Sequence, residues 1–435
     1  MNDLTRGTDV ATHHPVIVIG GGQAGLSASW CLKQRGIDHV VLEKHRVGHE
    51  WRTHRWDSFC LVTPNWQCQL PGFPYPGNDP YGFMRKGEIV EYVESYARSF
   101  GPPLREGVAV TGLRRLENGL FEVRTDAGLH TAAQVIVAAG GYQIPVIPRA
   151  TERIPDDVLQ IHSADYKSAS VLPKGHVLVV GSGQSGCQIA EDLHLAGRRV
   201  HLSTGSAPRS PRMYRGKDVV EWLHLMGYYD MPIHEHPLKE RVRQKANHYL
   251  TGRDGGREID LRKLATEGVQ LYGRFDGVQG GRVQFRADLR HNLDQADAVS
   301  ESIKQTVDKW IAKQGIEAPV EPPYVPVWTP ESEPVELDLA ASDIRSVIWC
   351  IGFRTDFRWI EVPVFDGSGY PVHARGVTTA PGLYFLGLPW LYTWGSGRFS
   401  GIARDAQFVA EQIDARLQAI RSSIPTAVNV LALGS

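Results

Sequence analysis

Two copies of one glycine pattern constrain the fold of this chain more than any other feature. The apolar runs 16–19 and 177–180 each lead into the spacing G-x-G-x-x-G. An apolar run of this length predicts a buried strand. The three glycines predict a tight turn, close approach of a pyrophosphate to the backbone, and a helix that packs against the strand. The sequence therefore predicts two Rossmann-like dinucleotide-binding domains in one chain.

The residues at the two turns are candidate contacts to cofactor phosphates, because the amides and the dipole at a helix N-terminus favour negative charge. At the first turn they are Gly20, Gly22, Gln23, Ala24 and Gly25, and at the second turn they are Gly181, Gly183, Gln184, Ser185 and Gly186.

The two turns differ in the residue that ends the next strand. Glu43 stands 18 residues after Gly25, where a carboxylate can bind both hydroxyls of an adenosine ribose. The equivalent position after the second turn is Thr204, with Ser203 before it and Arg209 after it. A carboxylate repels a 2′-phosphate, whereas hydroxyls and a guanidinium favour it. We therefore expect FAD at the first turn and NADPH at the second.

Further cofactor contacts are expected where strands and loops end near these turns. They are Lys44, Trp51 and Arg52 after the second strand, Gly140 and Gly352 at the ends of two hinge strands, and Gly387 after a later strand. A helix over 401–417 is expected to direct its N-terminus at a flavin ring, where the helix dipole favours negative charge.

The order of elements predicts an α/β fold in which the NADP domain is inserted into the FAD domain. The expected segments are 1–165 (FAD), 166–355 (NADP, with a helical insertion at about 214–335) and 356–435 (FAD return segment and closing helix). A small antiparallel β-meander is expected around the turn signal Asn118-Gly119. Apolar spacing predicts helices over 86–100, 214–229 and 297–313, and a basic amphipathic helix over 237–250.

Composition excludes several classes of protein. The formal net charge is −1, so nothing draws the whole chain to nucleic acid or anionic membranes. No apolar run reaches the length of a membrane span, and no secretory signal precedes residue 15, so we expect a cytoplasmic protein. The five cysteines form no C-x-x-C pair, and no histidine cluster has metal-ligand spacing, so neither a disulfide reductase nor a metal site is expected.

With these motifs, the chain resembles the flavin-containing monooxygenases that carry two dinucleotide-binding domains, and within them a bacterial branch found beside nitrilase genes. The resemblance rests on both glycine turns, Glu43, the Gly48-x-x-Trp51 step, the two hinge strands and the run His162-Ser163-x-x-Tyr166-Lys167. This run matches the end of the family fingerprint F-x-G-x-x-x-H-S-x-x-Y-K, while Asp156 and Val158 replace its opening Phe and Gly.

The resemblance implies a reaction and one candidate catalytic residue. Hydride from NADPH reduces FAD, oxygen adds at C4a to give a (hydro)peroxyflavin, and one oxygen atom passes to a small nucleophilic substrate at nitrogen, sulfur or a carbonyl group. Asn65, after Thr63-Pro64, is the candidate donor beside the flavin, and capping a turn is its equally open alternative. Rival readings are an NADPH oxidase or electron-transfer reductase, and a nucleotide sensor. A homodimer is an open option for the assembly.

Overall fold

The computed structural model describes residues 11–423, and its main body is a nine-stranded sheet. Seven strands follow one another across this first sheet in the order His373–Ala374, Val377–Thr378, Leu383–Phe385, Gly128–Val137, Thr12–Ile19, Val40–Glu43 and Leu104–Glu106. The five strands from Leu383–Phe385 to Leu104–Glu106 pair in parallel. Their carboxyl ends therefore lie at one edge, where the first glycine turn begins.

The remaining two strands of the first sheet form the predicted meander. Val110–Arg115 and Phe121–Thr125 pair antiparallel, and the second of them pairs antiparallel with Gly128–Val137. Gly128–Val137 is one ten-residue strand, so the same segment serves both the meander and the parallel sheet.

A second sheet has five strands, all parallel. In the sequence these strands come after Gly128–Val137 and before His373–Ala374 of the first sheet. Its order is Leu159–His162, Ile344–Trp349, His176–Val180, Val200–Ser203 and Gln270–Tyr272. The predicted fold class, with two dinucleotide-binding sheets and one inserted into the other, is confirmed. Leu159–His162 joins this second sheet although it precedes the expected boundary at residue 166.

Helices cover both sheets. Their bounds are Gln23–Gln34, His49–Thr53, Lys86–Phe100, Gln184–Leu195, Val219–Leu225, Leu261–Thr266, Leu289–Gln314 and Ile402–Ser423. Smaller antiparallel pairs join Gln69–Leu70 to Phe73–Pro74, Ile144–Pro145 to Phe353–Arg354, Met213–Tyr214 to Lys217–Asp218, and Phe275–Gln279 to Arg282–Phe285, which in turn pairs with Glu336–Asp338. No helix within residues 11–423 has both the length and the apolar character to cross a membrane.

The helix predicted over 237–250 is wrong. The structure has only a short 3₁₀ turn there, Lys239–Gln244, and Lys239 itself has a left-handed φ of +46°. Val242, Tyr249 and Leu250 are all buried, but the Tyr249 amide donates to the Pro208 carbonyl at 3.0 Å, so a long-range backbone contact replaces the helical hydrogen bond there. The helix predicted over 214–229 is also shorter, Val219–Leu225, because Met213–Tyr214 and Lys217–Asp218 form a hairpin before it.

The first sheet has a hydrophobic core on each face, because side chains along a strand alternate between the two faces. Val16 and Val18 point to the face covered by the helix Gln23–Gln34, and Ile17 and Ile19 point to the other face with Leu383 and Phe385. All four side chains of the apolar run 16–19 are therefore buried, which fixes the glycine turn that follows them. The expected closing segment, 356–435, continues past residue 423, and its last twelve residues lie outside the described part of the chain.

Candidate functional site

The first glycine turn contains two kinds of glycine. A Cβ atom at Gly25 would lie 1.8 Å from the carbonyl oxygen of Gly20, so the fold itself requires glycine there. A Cβ at Gly22 would meet nothing within 4 Å in the described protein. Gly22 also begins the helix Gln23–Gln34 without a side-chain cap. The first amides of the helix therefore face open space that a phosphate can fill.

Glu43 lies where the sequence predicted it, beside this turn. Its Oε2 accepts a hydrogen bond from the Gly21 amide at 2.6 Å, and its Oε1 accepts one from the His45 amide at 2.8 Å. The carboxylate is thus fixed and only partly buried, as an acceptor for ribose hydroxyls must be. Lys44, the next residue, is exposed.

The second glycine turn repeats the geometry of the first. A Cβ at Gly186 would lie 1.8 Å from the Gly181 carbonyl oxygen, while one at Gly183 would meet no described atom within 4 Å. The helix Gln184–Leu195 also begins without a side-chain cap. Two open phosphate cradles therefore exist, one at each sheet.

The polar side chains predicted to bind a 2′-phosphate at this turn are bound to the protein instead. The Ser203 hydroxyl donates to the Gly273 carbonyl at 2.9 Å, and the Thr204 hydroxyl donates to the Tyr272 carbonyl at 2.8 Å. Both residues are almost fully buried. The end of this strand still carries no acidic residue, so the two turns differ as predicted: Glu43 follows the first turn and Thr204 the second.

Arg209 is not brought to the second turn as a free cation. Its side chain is 2% exposed and lies 2.7 Å from Asp297, 3.5 Å from Asp260 and 3.3 Å from Glu258. Three carboxylates therefore already neutralise the guanidinium. Arg274 is an exposed cation that follows Gly273, the residue whose carbonyl binds Ser203, and sequence spacing from the glycines did not indicate it.

The loop before the closing helix Ile402–Ser423 meets the first glycine turn. Gln23 donates from Nε2 to the Gly397 carbonyl at 3.0 Å, and a Cβ at Gly387 would lie 2.5 Å from Cβ of Ala24. Trp51 stacks on Phe399 of the same loop with ring centroids 5.6 Å apart. The structure thus gathers Gln23, Ala24, Trp51 and Gly387, whereas Arg52 turns away to pair with Glu94.

The two predicted hinge strands are linked to each other. Gly140 and Gly352 both border open space, since a Cβ on either would touch no described atom within 4 Å. The Val146 amide donates to the Gly352 carbonyl at 3.0 Å, and the His162 ring is hydrogen-bonded to that same carbonyl at 3.1 Å. His162 of the fingerprint run therefore holds the connection between the two domains.

Asn65 has a structural role that the sequence left open. Its Nδ2 donates to the Asp79 carbonyl at 2.9 Å, and its Oδ1 accepts from the Met84 amide at 2.8 Å. The residue is 3% exposed and fixes the loop 79–84 at the wall of a cavity of about 590 Å³. This cavity also contacts the loop 252–255 of the inserted domain.

The cysteines are unsuited to disulfide exchange. All five are free thiols, and burial raises the pKa of each, with Cys31 and Cys68 reaching about 12. The thiolate is the reactive form, so these residues are poor nucleophiles at neutral pH. In residues 11–423 no group of three or more His, Cys, Asp or Glu side chains is arranged to hold a metal ion.

Comparison with protein families and curated proteins gives three matches of use here. A family model described as pyridine nucleotide-disulphide oxidoreductase matches residues 17–252. An uncharacterized CzcO-like oxidoreductase of Geobacillus kaustophilus is 33% identical over 402 residues, which cover 92% of this chain and 97% of the relative. A probable indole-3-pyruvate monooxygenase of Arabidopsis thaliana, YUCCA4, is 33% identical over 180 residues, 41% of this chain and 43% of that protein.

Among solved structures, a flavin monooxygenase from Stenotrophomonas maltophilia has a similar fold. The structure, a double mutant, superposes with a TM-score of 0.64 at 19% identity and covers 93% of this chain and 99% of its own. The arrangement of two dinucleotide-binding domains is therefore shared over almost the whole chain.

Proposed function

Because the chain belongs to the pyridine nucleotide-disulphide oxidoreductase family, we propose that this oxidoreductase is an NADPH-dependent FAD monooxygenase. FAD binds at the first glycine turn and NADPH at the second. The substrate is a small nucleophilic molecule that receives one oxygen atom from O2 at nitrogen, sulfur or a carbonyl group.

One observation carries this proposal: Gly22 and Gly183 are glycines that the protein does not need for its own packing. Each borders open space, and each begins an uncapped helix. Their partners Gly25 and Gly186, in contrast, are required by a neighbouring carbonyl. A glycine that only a ligand requires fits a bound pyrophosphate. Two such positions in one chain support two dinucleotides.

The residues around the first turn bind and orient the flavin cofactor. Glu43 would accept hydrogen bonds from the ribose hydroxyls, Trp51 and Phe399 of the loop 395–401 would line the part of the site that takes the flavin ring, and the helix Ile402–Ser423 starts directly after that loop. When bound, FAD supplies the chemistry that takes hydride from NADPH and activates O2. The protein residues position the cofactor and keep water away from it.

The choice of NADPH at the second turn follows from the missing acid at Thr204 together with the exposed Arg274. Glu43 can discriminate against a 2′-phosphate at the first turn, and no carboxylate takes the equivalent place at the second. Arg274 follows the strand Gln270–Tyr272, which pairs with Val200–Ser203, so this exposed cation comes just after the end of the strand beside the one that leads to Thr204, and we assign the 2′-phosphate to it.

Reduction and reoxidation of the purified protein test the proposal. We expect a yellow protein with one FAD per chain that NADPH bleaches in the absence of O2. Mixing the reduced protein with O2 should then give a near-ultraviolet absorbance that persists until substrate is added. A colourless protein that takes up no FAD would overturn both cofactor assignments.

An NADPH oxidase is the second candidate, and the geometry of Asn65 favours it. The two ends of that amide bind backbone groups of the loop 79–84, and the side chain is also hydrogen-bonded to Tyr75, so the polar atoms of Asn65 serve the protein and not oxygen species at the flavin. An oxidase would reoxidise without the persistent absorbance and release one peroxide for each NADPH consumed, with or without substrate.

A further inference from the structure

Arg398 lies in the loop before the closing helix, beside the proposed flavin site. Its guanidinium stacks on Trp394, 3.9 Å from the ring centroid. It donates to the Trp394 carbonyl and, at 3.0 Å, to Oδ1 of Asn247. These bonds use two of its five N–H groups. The side chain is therefore held in one orientation with donors to spare.

No carboxylate within residues 11–423 forms an ion pair with Arg398. This separates it from the most buried arginines of the protein, since Arg209, Arg212 and Arg262 each lie within 3 Å of at least one carboxylate. Burial nevertheless lowers the pKa of the Arg398 guanidinium. Arg398 is half-buried and one face of its guanidinium is covered by Trp394, so this unpaired cation is partly removed from water and its position is suited to a negatively charged ligand.

The groups around Arg398 are aromatic and carry hydrogen-bond donors. Tyr229 contacts Trp394 with centroids 4.5 Å apart, and both pack in one cluster with Tyr228 and Trp66. The indole nitrogen of Trp66 is buried without a partner. Neither tyrosine hydroxyl has a hydrogen-bond partner in the described chain. Every free polar group in this cluster can donate, and none is an anion that would attract a cation.

We infer that Arg398, with Trp66, Trp394, Tyr228 and Tyr229, binds the carboxylate end of an aromatic carboxylic acid, and that this is the substrate class. We call these five residues the Arg398 site. A single guanidinium matches the single charge of a carboxylate, whereas a phosphate dianion would require further cations. The flat walls suit an aromatic ring. The inference rests on the proposed monooxygenase function, because it names the substrate class of that same reaction.

The Arg398 site lies beside the loop contact to the first glycine turn. Arg398 belongs to the loop 395–401, in which Gly397 accepts the hydrogen bond from Gln23 of the first glycine turn. The opposite wall, Tyr228 and Tyr229, comes from the inserted domain just after the helix Val219–Leu225. The site therefore lies between the two domains, with the carboxylate held at Arg398 and the remainder of the acid free to reach the flavin.

Binding of a charged and a neutral probe tests the Arg398 site without any turnover. Quenching of tryptophan fluorescence and perturbation of the flavin spectrum would be titrated with phenylacetate and with phenylacetamide, which have nearly the same shape. We expect phenylacetate to bind roughly tenfold more tightly, because a charge-assisted hydrogen bond discriminates by about that factor. Arg398→Gln should remove the difference and Arg398→Lys should restore part of it.

Arg241→Gln is the matched control, because Arg241 is an exposed cation outside the loop 395–401 that likewise pairs with no carboxylate in the described chain. It should keep the preference for phenylacetate. Equal binding of both probes to the unchanged protein, or an unchanged preference in Arg398→Gln, would overturn the inference. Loss of FAD from Arg398→Gln and Arg398→Lys would also overturn it, since Arg398 would then serve the cofactor. Absence of FAD from the unchanged protein instead contradicts the proposed function.

Discussion

The carboxylate of Glu43 and the backbone amide of Gly21 are 2.6 Å apart, so the acid that ends the second strand is bonded to the turn that follows the first. This bond joins the two parts of the first dinucleotide site before any cofactor is present. The oxygen atoms of Glu43 are thus oriented in advance, which lowers the entropic cost of binding a ribose.

Glu43→Gln should therefore weaken FAD binding. The substitution keeps the shape of the side chain but removes the charge that strengthens its bonds to N–H and ribose O–H donors. We expect roughly tenfold weaker binding in titration of the apoprotein with FAD. Glu106→Gln is the control, because Glu106 is the register partner of Glu43 on the neighbouring strand. Equal weakening by both variants would mean that the sheet edge, and not ribose recognition, is disturbed.

The two glycines of the first turn should respond differently to alanine. Gly22→Ala places a methyl group in open space and requires no unusual backbone angle, so the apoprotein should unfold within about 0.5 kcal/mol of the parent. It should take up no FAD, because the methyl group occupies the place of the pyrophosphate. Gly25→Ala should destabilise the apoprotein itself. Urea unfolding and flavin content measure the two effects, and normal FAD uptake by Gly22→Ala would contradict the assignment.

Substitution of Arg209 should change the stability of the protein, and substitution of Arg274 should change its preference for NADPH over NADH. Arg209→Gln leaves Asp260 and Glu258 without their cation, while Asp297 keeps Arg262, so we expect a loss of about 3 kcal/mol in unfolding free energy and similar changes in KM for NADPH and NADH. Arg274→Gln should raise KM for NADPH far more than KM for NADH and leave stability unchanged. If instead Arg209→Gln raises KM for NADPH far more than KM for NADH, Arg209 binds the 2′-phosphate, as the sequence spacing predicted.

Asn65→Ala should loosen the loop 79–84. The Met84 amide loses its acceptor inside the protein, which should cost about 1–3 kcal/mol of unfolding free energy. We also expect more peroxide released per NADPH at an unchanged rate of flavin reduction. Gln69→Ala is the control, since this exposed amide also donates to a backbone carbonyl, that of Trp66. More peroxide without any loss of stability would indicate a direct catalytic role for Asn65.

His201 should make the protein less stable in mild acid. Burial, with His176 beside it, lowers the pKa of His201 from 6.5 to about 4. Between these values the unfolded chain binds a proton that the folded protein does not, so stability falls as the pH falls, by up to about 3 kcal/mol. Unfolding by urea at pH 7 and pH 4.5 should show a smaller loss in His201→Gln than in the parent. The exposed His13→Gln should keep the full loss, and identical losses in all three proteins would rule out His201 as the cause.

The sequence was sufficient for features that depend on neighbours in the chain. Both glycine turns, their strands and their helices form as expected, and the helix predicted over 86–100 has the bounds Lys86–Phe100. Periodicity and turn chemistry are local, so they are readable from one sequence. The segment 237–250 is the counterexample, because its apolar spacing imitates a helix while Tyr249 is buried through a backbone pairing with the distant residues Pro208 and Arg209.

The partners of individual polar side chains were decided only by the tertiary structure. Arg209 and Arg52 have the right residue type at the right spacing for a cofactor, yet each is engaged by acids from elsewhere in the chain, Asp297 and Glu94. Arg398, which no motif indicated, follows Gly397, the residue that binds Gln23 of the first glycine turn, and it pairs with no acid within residues 11–423. Spacing along the chain fixes where a backbone turns, but a charge is paired or left free by long-range packing, and that packing is determined by the whole fold at once.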